Sequence, residues 1–234
     1  ILSHNVGWYT TKSPTLVKLI NQEQADIVFL QETVQKHRKR VFDLLKSDYP
    51  YQIDIPPVGI LSKYPVLSSE ILHLANHPET QQRAIIKFAG QEIIIYNMQA
   101  TGPWVKIYKI LRFIKIPVYK YKQRFPEIQD LVERIQQETL PVIVAGDFNM
   151  TDESQDYYSV QQVLQDAFLK SGFGFGFTWP HGFFAKRFNL RLTYPVCRID
   201  YIWYSKHWGA KSSSVLQATE SDHLPVAAEL ILLK

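Results

Sequence analysis

Asp147 and Asn149 stand two residues apart in Gly146-Asp147-Phe148-Asn149, directly after the apolar run Pro141–Ala145. In an extended backbone, residues two apart project to the same side. A carboxylate and an amide would then face one point, where they could hold a water and an anionic oxygen together. The same residue types also form ordinary turns. Ser221-Asp222-His223-Leu224-Pro225 precedes the last apolar run. Neighbouring side chains diverge, so Asp222 and His223 can serve different partners, one a metal and the other a bound molecule; a histidine that is only structural is the plain alternative. Asp200, in Arg198-Ile199-Asp200-Tyr201, lies among aliphatic and aromatic residues. A buried carboxylate needs a partner because an unpaired buried charge is costly, and Arg198 or His223 could supply one. An Asp–His pair would orient the imidazole and favour its protonated form. Glu32 closes the apolar run Asp26–Leu30 and is the clearest candidate ligand for a hard divalent cation, against the plain reading of a surface residue capping a helix. Oxygen-rich, cysteine-poor donor sets favour magnesium or manganese over zinc. The one cysteine, Cys197, excludes an intrachain disulfide and any multi-cysteine metal site.

These residues need strands to carry them. Apolar runs that read as buried strands are Asp26–Leu30, Ile93–Tyr96, Pro141–Ala145, Ile199–Tyr204 and Leu224–Leu233. Several end in polar groups: the first in Gln31-Glu32, the second in Asn97 and Gln99, the third in Asp147 and Asn149. Strands that finish this way deliver their polar groups to one rim of a sheet, where ligands usually sit. Helical periodicity follows Ser13-Pro14, a good cap and first-turn pair, with Leu16, Leu19 and Ile20 on one face. It returns around Val41–Leu45, over Glu127–Glu138, and over Val160–Leu169 as a last helix. Strands mixed with helices predict sheets covered by helices on their outer faces.

With 234 residues, 46% of them hydrophobic, the chain can bury one sizeable core, and we read residues 1–234 as one domain. No apolar stretch reaches the ~20 residues of a membrane helix. The sequence starts at Ile1, already strand-like. The expectation is therefore a longer parent chain, with membrane association through a segment upstream of Ile1. Charge is uneven. Lys106, Lys109, Arg112, Lys115, Lys120, Lys122 and Arg124 occur between Trp104 and Arg124 without an acidic residue. Removing those seven from the 26 basic residues leaves 19 against 22 acidic ones, so the basicity is a local patch.

Taken together and in order, Asn5, Gln31-Glu32, Gly59–Val66 (GILSKYPV), Gly146–Asn149 (GDFN), Arg198–Tyr201 (RIDY) and Ser221–Pro225 (SDHLP) resemble the endonuclease/exonuclease/phosphatase superfamily, the DNase I-like group. The resemblance runs from Asn5 to Pro225. It implies a four-layered α/β sandwich, two mixed β-sheets packed face to face with helices on the outer faces. It also implies a metal-dependent phosphoester hydrolase. Glu32 would hold Mg2+ (Mn2+ as the alternative), with Asn5 and Asp222 near it. Asp147 would bind or activate the attacking water, and Asn149 would contact the scissile phosphate. His223, paired with Asp200, would be a general base or a donor to the phosphate, and Arg198 a structural support. Gln99 and Asn97 are the expected substrate contacts. Gln99 stands where many relatives carry a histidine and others a tyrosine, and Gly7 stands where some nucleases carry a carboxylate.

Three segments bear on the substrate. Helical spacing over Trp104–Arg124 gathers Trp104, Ile107, Ile110, Leu111 and Ile114 on one side and Lys106, Lys109, Arg112 and Lys115 on the other. That pattern predicts a basic amphipathic helix, which can lie on a membrane surface; packing on the domain and nucleic-acid binding are its alternatives. Gly172–Pro180 (GFGFGFTWP) resembles a loop of a bacterial, membrane-tethered branch of the superfamily, and Phe173, Phe175, Phe177 and Trp179 would line a pocket, with a packed aromatic turn as the alternative. His73 and His77 have ligand spacing for a helix, but Pro78 argues for a structural role; Lys36–Arg40, including His37, reads as a solvated helix start. Three functions remain open: a phosphodiesterase or phosphatase acting on a lipid-linked phosphate, a nuclease on DNA or RNA, and a catalytically weak binding module.

Overall fold

The computed structural model describes residues 1–7, 13–33, 38–102, 104–109, 115–120, 124–185, 190–217 and 219–233, with the backbone alone at 38, 104–109, 115–120, 183–185 and 190–192. One six-stranded sheet contains β1 (Leu2–Asn5), β2 (Ile27–Gln31), β3 (Tyr51–Ile55), β4 (Val58–Ser62), β15 (Trp208–Val215) and β16 (Val226–Leu232), in the order β15-β16-β1-β2-β4-β3. The other contains β5 (Val66–Leu72), β6 (Gln81–Phe88), β7 (Gln91–Gln99), β10 (Val142–Asp147), β11 (Gln165–Asp166) and β14 (Asp200–Tyr204), in the order β11-β14-β10-β7-β6-β5. Both are mixed: β1 is parallel to β2 and β7 to β10, and the remaining pairs are antiparallel.

Side-chain alternation sorts these strands into layers. Ile27 and Phe29 of β2, Ile93 and Ile95 of β7, and Ile143 and Ala145 of β10 fill the space between the sheets. The intervening Val28 and Leu30 face outward onto α1 (Ser13–Glu23) and α2 (Arg38–Leu44), meeting Leu16, Ile20, Val41 and Phe42. On the second sheet Ile94, Tyr96, Val142 and Val144 meet Ile128, Leu131 and Ile135 of α3 (Arg124–Gln137) and Tyr157 and Val160 of α4 (Gln155–Gln161). The result is the expected four layers.

Every apolar run named from the sequence is a strand, and α1, α2 and α3 stand where periodicity placed them. Two elements differ. Val160–Leu169 is not one helix: α4 ends at Gln161, Gln165–Asp166 pairs with β14, and α5 (Ala167–Ser171) starts afresh. Asp166 breaks the helix because its carboxylate caps the new one, accepting from the backbone N–H groups of Phe168 and Leu169. The second difference is Trp104–Arg124. Its described residues 104–109 and 115–120 are not helical but form two antiparallel strands, β8 (Trp104–Lys109) and β9 (Lys115–Lys120), in register from Trp104↔Lys120 to Lys109↔Lys115, and Arg124 opens α3. Their Val, Ile and Tyr content favours strands, and Pro117 is tolerated because a two-stranded ribbon has open edges. Residues 110–114 and 121–123, with Ile110, Leu111, Arg112, Ile114 and Lys122, lie outside the described residues, as do Lys36 and His37. A second small hairpin joins β12 (Phe183–Ala185) to β13 (Leu190–Leu192).

Candidate active site

Most of the predicted site residues gather at the rim where β1, β2, β7 and β10 end, on strand ends or on the turns and loops beside them. Asn5, Gln99 and Asp147 occupy the last positions of β1, β7 and β10, and Glu32 follows β2 directly. β14 runs antiparallel to β10, so its first residue, Asp200, pairs with Asp147. The loop carrying His223 leads into β16, which is antiparallel to β1. Period-two alternation thus puts isoleucine and alanine deep in the inter-sheet layer and polar groups at its mouth.

A continuous chain of contacts joins them. Gln99 Nε2 donates to Glu32 Oε1 at 3.4 Å. Asn5 Nδ2 donates to Glu32 Oε1 at 3.1 Å and to Asp147 Oδ2 at 3.0 Å. Asp147 Oδ2 lies 4.0 Å from His223 Nε2, and His223 Nδ1 lies 3.0 and 3.1 Å from the two oxygens of Asp200. Asp147, Asp200 and His223 are all buried, and each offers a ligand atom within 4.8 Å of the others. Asp200 therefore takes His223 as its partner. Arg198 instead bonds Asp166 and Asp152 and stacks over the Tyr201 ring, a structural support behind the strand.

Asp147 and Asn149 converge through a turn, not an extended strand. Asn149 has φ 51°, and its N–H donates to Asp147 Oδ1 at 2.9 Å. Its Nδ2 donates to Asp147 Oδ2 at 3.2 Å and to the Ala100 carbonyl at 2.9 Å. Both amide hydrogens therefore face protein oxygens, so Asn149 orients Asp147. Gly146 is required just before: its φ is 148°, and a Cβ there would lie 2.0 Å from the Met98 carbonyl oxygen.

Burial raises the Asp147 pKa most; His223 opposes it, Asp200 and Glu32 add to it, and the net value is about 7. Burial alone would lower that of His223, but Asp200 and Asp147 outweigh it and push it up to about 10, which keeps the ring charged. The buried carboxylates of Asp147 and Asp200 and the half-buried one of Glu32 share this small rim with one imidazole. Such a set of oxygen donors fits a hard divalent cation, and Gln99 Oε1, buried without a hydrogen-bond partner beside Glu32, adds a further free acceptor.

Two expected residues are placed apart. Asp222 accepts from Trp179 Nε1 at 3.2 Å, and the Trp179 ring stands 6.4 Å from that of His223, so Asp222 flanks the cluster through the indole. Asn97 is fully buried: its Oδ1 accepts from Gln31 Nε2 at 2.7 Å, and its Nδ2 donates to the carbonyls of Leu30 and Gly59. It ties the two sheets together beneath the site. Phe173 (100% exposed) and Phe175 (81% exposed) project into solvent, with Phe175 stacked on Phe177, so they do not line a pocket. His73 and His77 hold no common ligand: one ring bonds the Glu79 carbonyl and the other Glu127. Sequence reasoning missed Thr178, whose Oγ1 accepts from the N–H groups of Ile199 and Asp200, and Arg124, counted with the basic patch but buried against Asp156.

A model of the Endonuclease/Exonuclease/phosphatase family matches residues 2–223. The chain belongs to this family. Its members are hydrolases acting on phosphoesters. Solved structures share the family fold over almost the whole chain. A functionally unknown conserved protein from Enterococcus faecalis is 18% identical with a TM-score of 0.72, covering 99% of this chain and 98% of that one. The mannosyl-6-phosphatase of Bacteroides thetaiotaomicron is 18% identical, with a TM-score of 0.69 and the same coverage. Beta toxin of Staphylococcus aureus is 16% identical with a TM-score of 0.69, covering 97% of this chain and 98% of the toxin. Comparison with curated proteins gives no match.

Proposed function

We propose that this protein is a divalent-metal-dependent phosphoester hydrolase in which Asp147 activates water and His223 supports the phosphate. The observation that carries this reading is the convergence of Asn5, Glu32, Asp147, Asn149, Asp200 and His223 in one contact chain at a strand rim. Glu32 would be the main residue to hold Mg2+ or Mn2+, with Asn5 and Asp222 near it. A cation held there would supply positive charge to offset that of the phosphate, which otherwise repels the nucleophile. Asp147, held by Asn5 and Asn149, accepts the water proton; general base help of this kind contributes ~10²–10⁴-fold. His223 is oriented by Asp200 through Nδ1, which leaves Nε2 to face the substrate. Flanked by two carboxylates, the ring favours its protonated form and so acts as a donor to phosphate oxygen. Asn149 exchanges one of its protein hydrogen bonds for the phosphate, and Gln99 supplies a neutral contact.

For the substrate we favour a lipid-linked phosphate, because the Trp104–Arg124 segment combines cations with aromatic residues and contains no acid. The same cations support a nuclease as the second reading, since they suit a polyanionic backbone. Turnover of plasmid DNA, single-stranded RNA, vesicles containing a lipid phosphate, mannose 6-phosphate and bis(p-nitrophenyl) phosphate is to be compared with Mg2+ and with chelator. Activity lost in chelator and nearly abolished in folded Asp147→Asn and His223→Ala is the expected result. Chelator-resistant turnover would contradict the mechanism, silence on all five would favour a binding module, and cleavage confined to nucleic acid would remove the lipid reading.

A further inference from the structure

Asn149 holds a left-handed backbone, φ 51°, which non-glycine residues adopt at a cost and keep only where their surroundings enforce it. Its side chain is held by Asp147 and Ala100. Its backbone carbonyl is held by Arg124, whose Nη1 donates to it from the first residue of α3. The Nε of the same guanidinium donates to Asp156 Oδ2 at 2.7 Å, on α4. Arg124 is 3% exposed and Asp156 4%. A buried ion pair is a weak source of stability, because two well-packed apolar residues do as well or better. What the pair provides is a planar fork with its direction fixed at both ends. One branch is fastened to α4, and the other reaches the peptide that carries Asn149. Asn149 in turn holds both oxygens of Asp147.

We propose that Arg124 is a positioning residue for the site: locked by Asp156, it fixes the Asn149 peptide and through it the direction of the Asp147 carboxylate. Arg124 meets the contact chain only at the backbone carbonyl of Asn149, and Asp156 meets it only through Arg124. Their effect reaches the chemistry through a backbone carbonyl. The inference rests on the hydrolase reading for its kinetic readout and on the contacts of Asn149 for its spectroscopic one.

The double variant Arg124→Met/Asp156→Leu tests it, since methionine keeps an unbranched stem in place of that of arginine, leucine is close to aspartate in size, and no buried charge is left alone. It is expected to unfold cooperatively. Its kcat on bis(p-nitrophenyl) phosphate with Mg2+ should fall about 30- to 100-fold at a KM within about twofold of wild type, as misplacement of a reacting group by ~1 Å costs ~10²-fold. Arg124→Lys keeps the charge but not the fork and should recover only part of that loss. Asp156→Asn still offers Nε an acceptor and should recover most of it. In 15N-labelled protein, the side-chain amide resonances of Asn149 should move in the double variant and return toward their original positions in Asp156→Asn. Unchanged kcat with unmoved Asn149 resonances would overturn the proposal, and so would an equal loss of kcat in all three variants. If the wild type hydrolyses no phosphoester, the functional reading fails, and the Asn149 resonances alone decide the role of Arg124.

Discussion

Gly146→Ala is a severe test of how the strand carrying Asp147 is built. Gly146 pairs with Met98 between β10 and β7, at φ 148°. An alanine meets two separate costs there. The backbone conformation is unfavourable for any L side chain, by about 1–3 kcal/mol. In addition the new Cβ would lie 2.0 Å from the Met98 carbonyl oxygen, which is backbone and cannot rotate away. Relief needs the two strands to part, and overpacking of this kind costs about 1–3 kcal/mol. The sum is about 2–6 kcal/mol, against a typical total of about 5–15 kcal/mol, so the variant should fold but with a much lower urea midpoint. Gly90→Ala separates the two costs. Gly90 also has positive φ, 87°, but nothing lies within 4 Å of its Cβ position. It should lose only the conformational part, and it should keep full turnover because it lies in the turn between β6 and β7. Gly146→Ala should also lose at least about 10²-fold in kcat, because Asp147 moves with the strand. Equal midpoints and equal turnover for the two variants would refute the reasoning.

Asn97→Leu should cost about 1–3 kcal/mol, since it takes away the 2.7 Å acceptor of Gln31 Nε2, leaving that group only its 3.3 Å bond to Ser3 Oγ, and removes the bonds to the Leu30 and Gly59 carbonyls that join the two sheets; KM should not change, and a raised KM at full stability would instead show Asn97 touching substrate. Burial raises the Cys197 thiol from an ordinary 9.0 to about 11, so its neutral form persists well above neutrality. Iodoacetamide at pH 8 should therefore label native protein about a hundredfold more slowly than urea-unfolded protein, with a rate rising about tenfold per pH unit toward pH 11; equal rates would contradict this. Replacing Lys106, Lys109, Lys115 and Lys120 together by glutamine removes charges worth about 1 kcal/mol each at an anionic surface. Binding to vesicles rich in phosphatidylserine should weaken by at least about 10²-fold, while hydrolysis of bis(p-nitrophenyl) phosphate is retained; unchanged vesicle binding would remove the membrane reading.

The site was legible in the sequence for a local reason. Each strand end writes its own signal, an apolar run closed by Gln31-Glu32, Gln99 or Asp147, and the alternation that buries Ile143 and Ala145 also sets Asp147 on the same inner face. That alternation holds equally for Asn97, however, and it could not say how deep Asn97 lies along the strand relative to the rim. Depth depends on the partner sheet, which supplies Gln31 and the carbonyls of Leu30 and Gly59. The helical expectation over Trp104–Arg124 fails at 104–109 and 115–120 because the apolar residues there fit a helical stripe and a strand about equally well. For short runs, strand propensity and pairing decide between them.

Arg124 went unrecognised for a different reason, and the difference bears on how this site is supported. Its neighbours in sequence are basic, so by position it looks like one more surface cation. Its partner Asp156 lies 32 residues away on another helix, and its second acceptor is a backbone carbonyl, which no residue pattern can announce. The groups that perform chemistry must be of particular types and so leave marks in sequence. The groups that aim them need only reach the right carbonyl. Both flanks of the β8–β9 hairpin are of this second kind: the Ala100 carbonyl accepts from Asn149, Thr101 is fastened to Glu127, and the chain returns at Arg124. In sequence, two of the supports of Asn149, the Ala100 carbonyl and Arg124, therefore bracket the basic segment, so the chain on either side of it is committed to holding the group that aims Asp147.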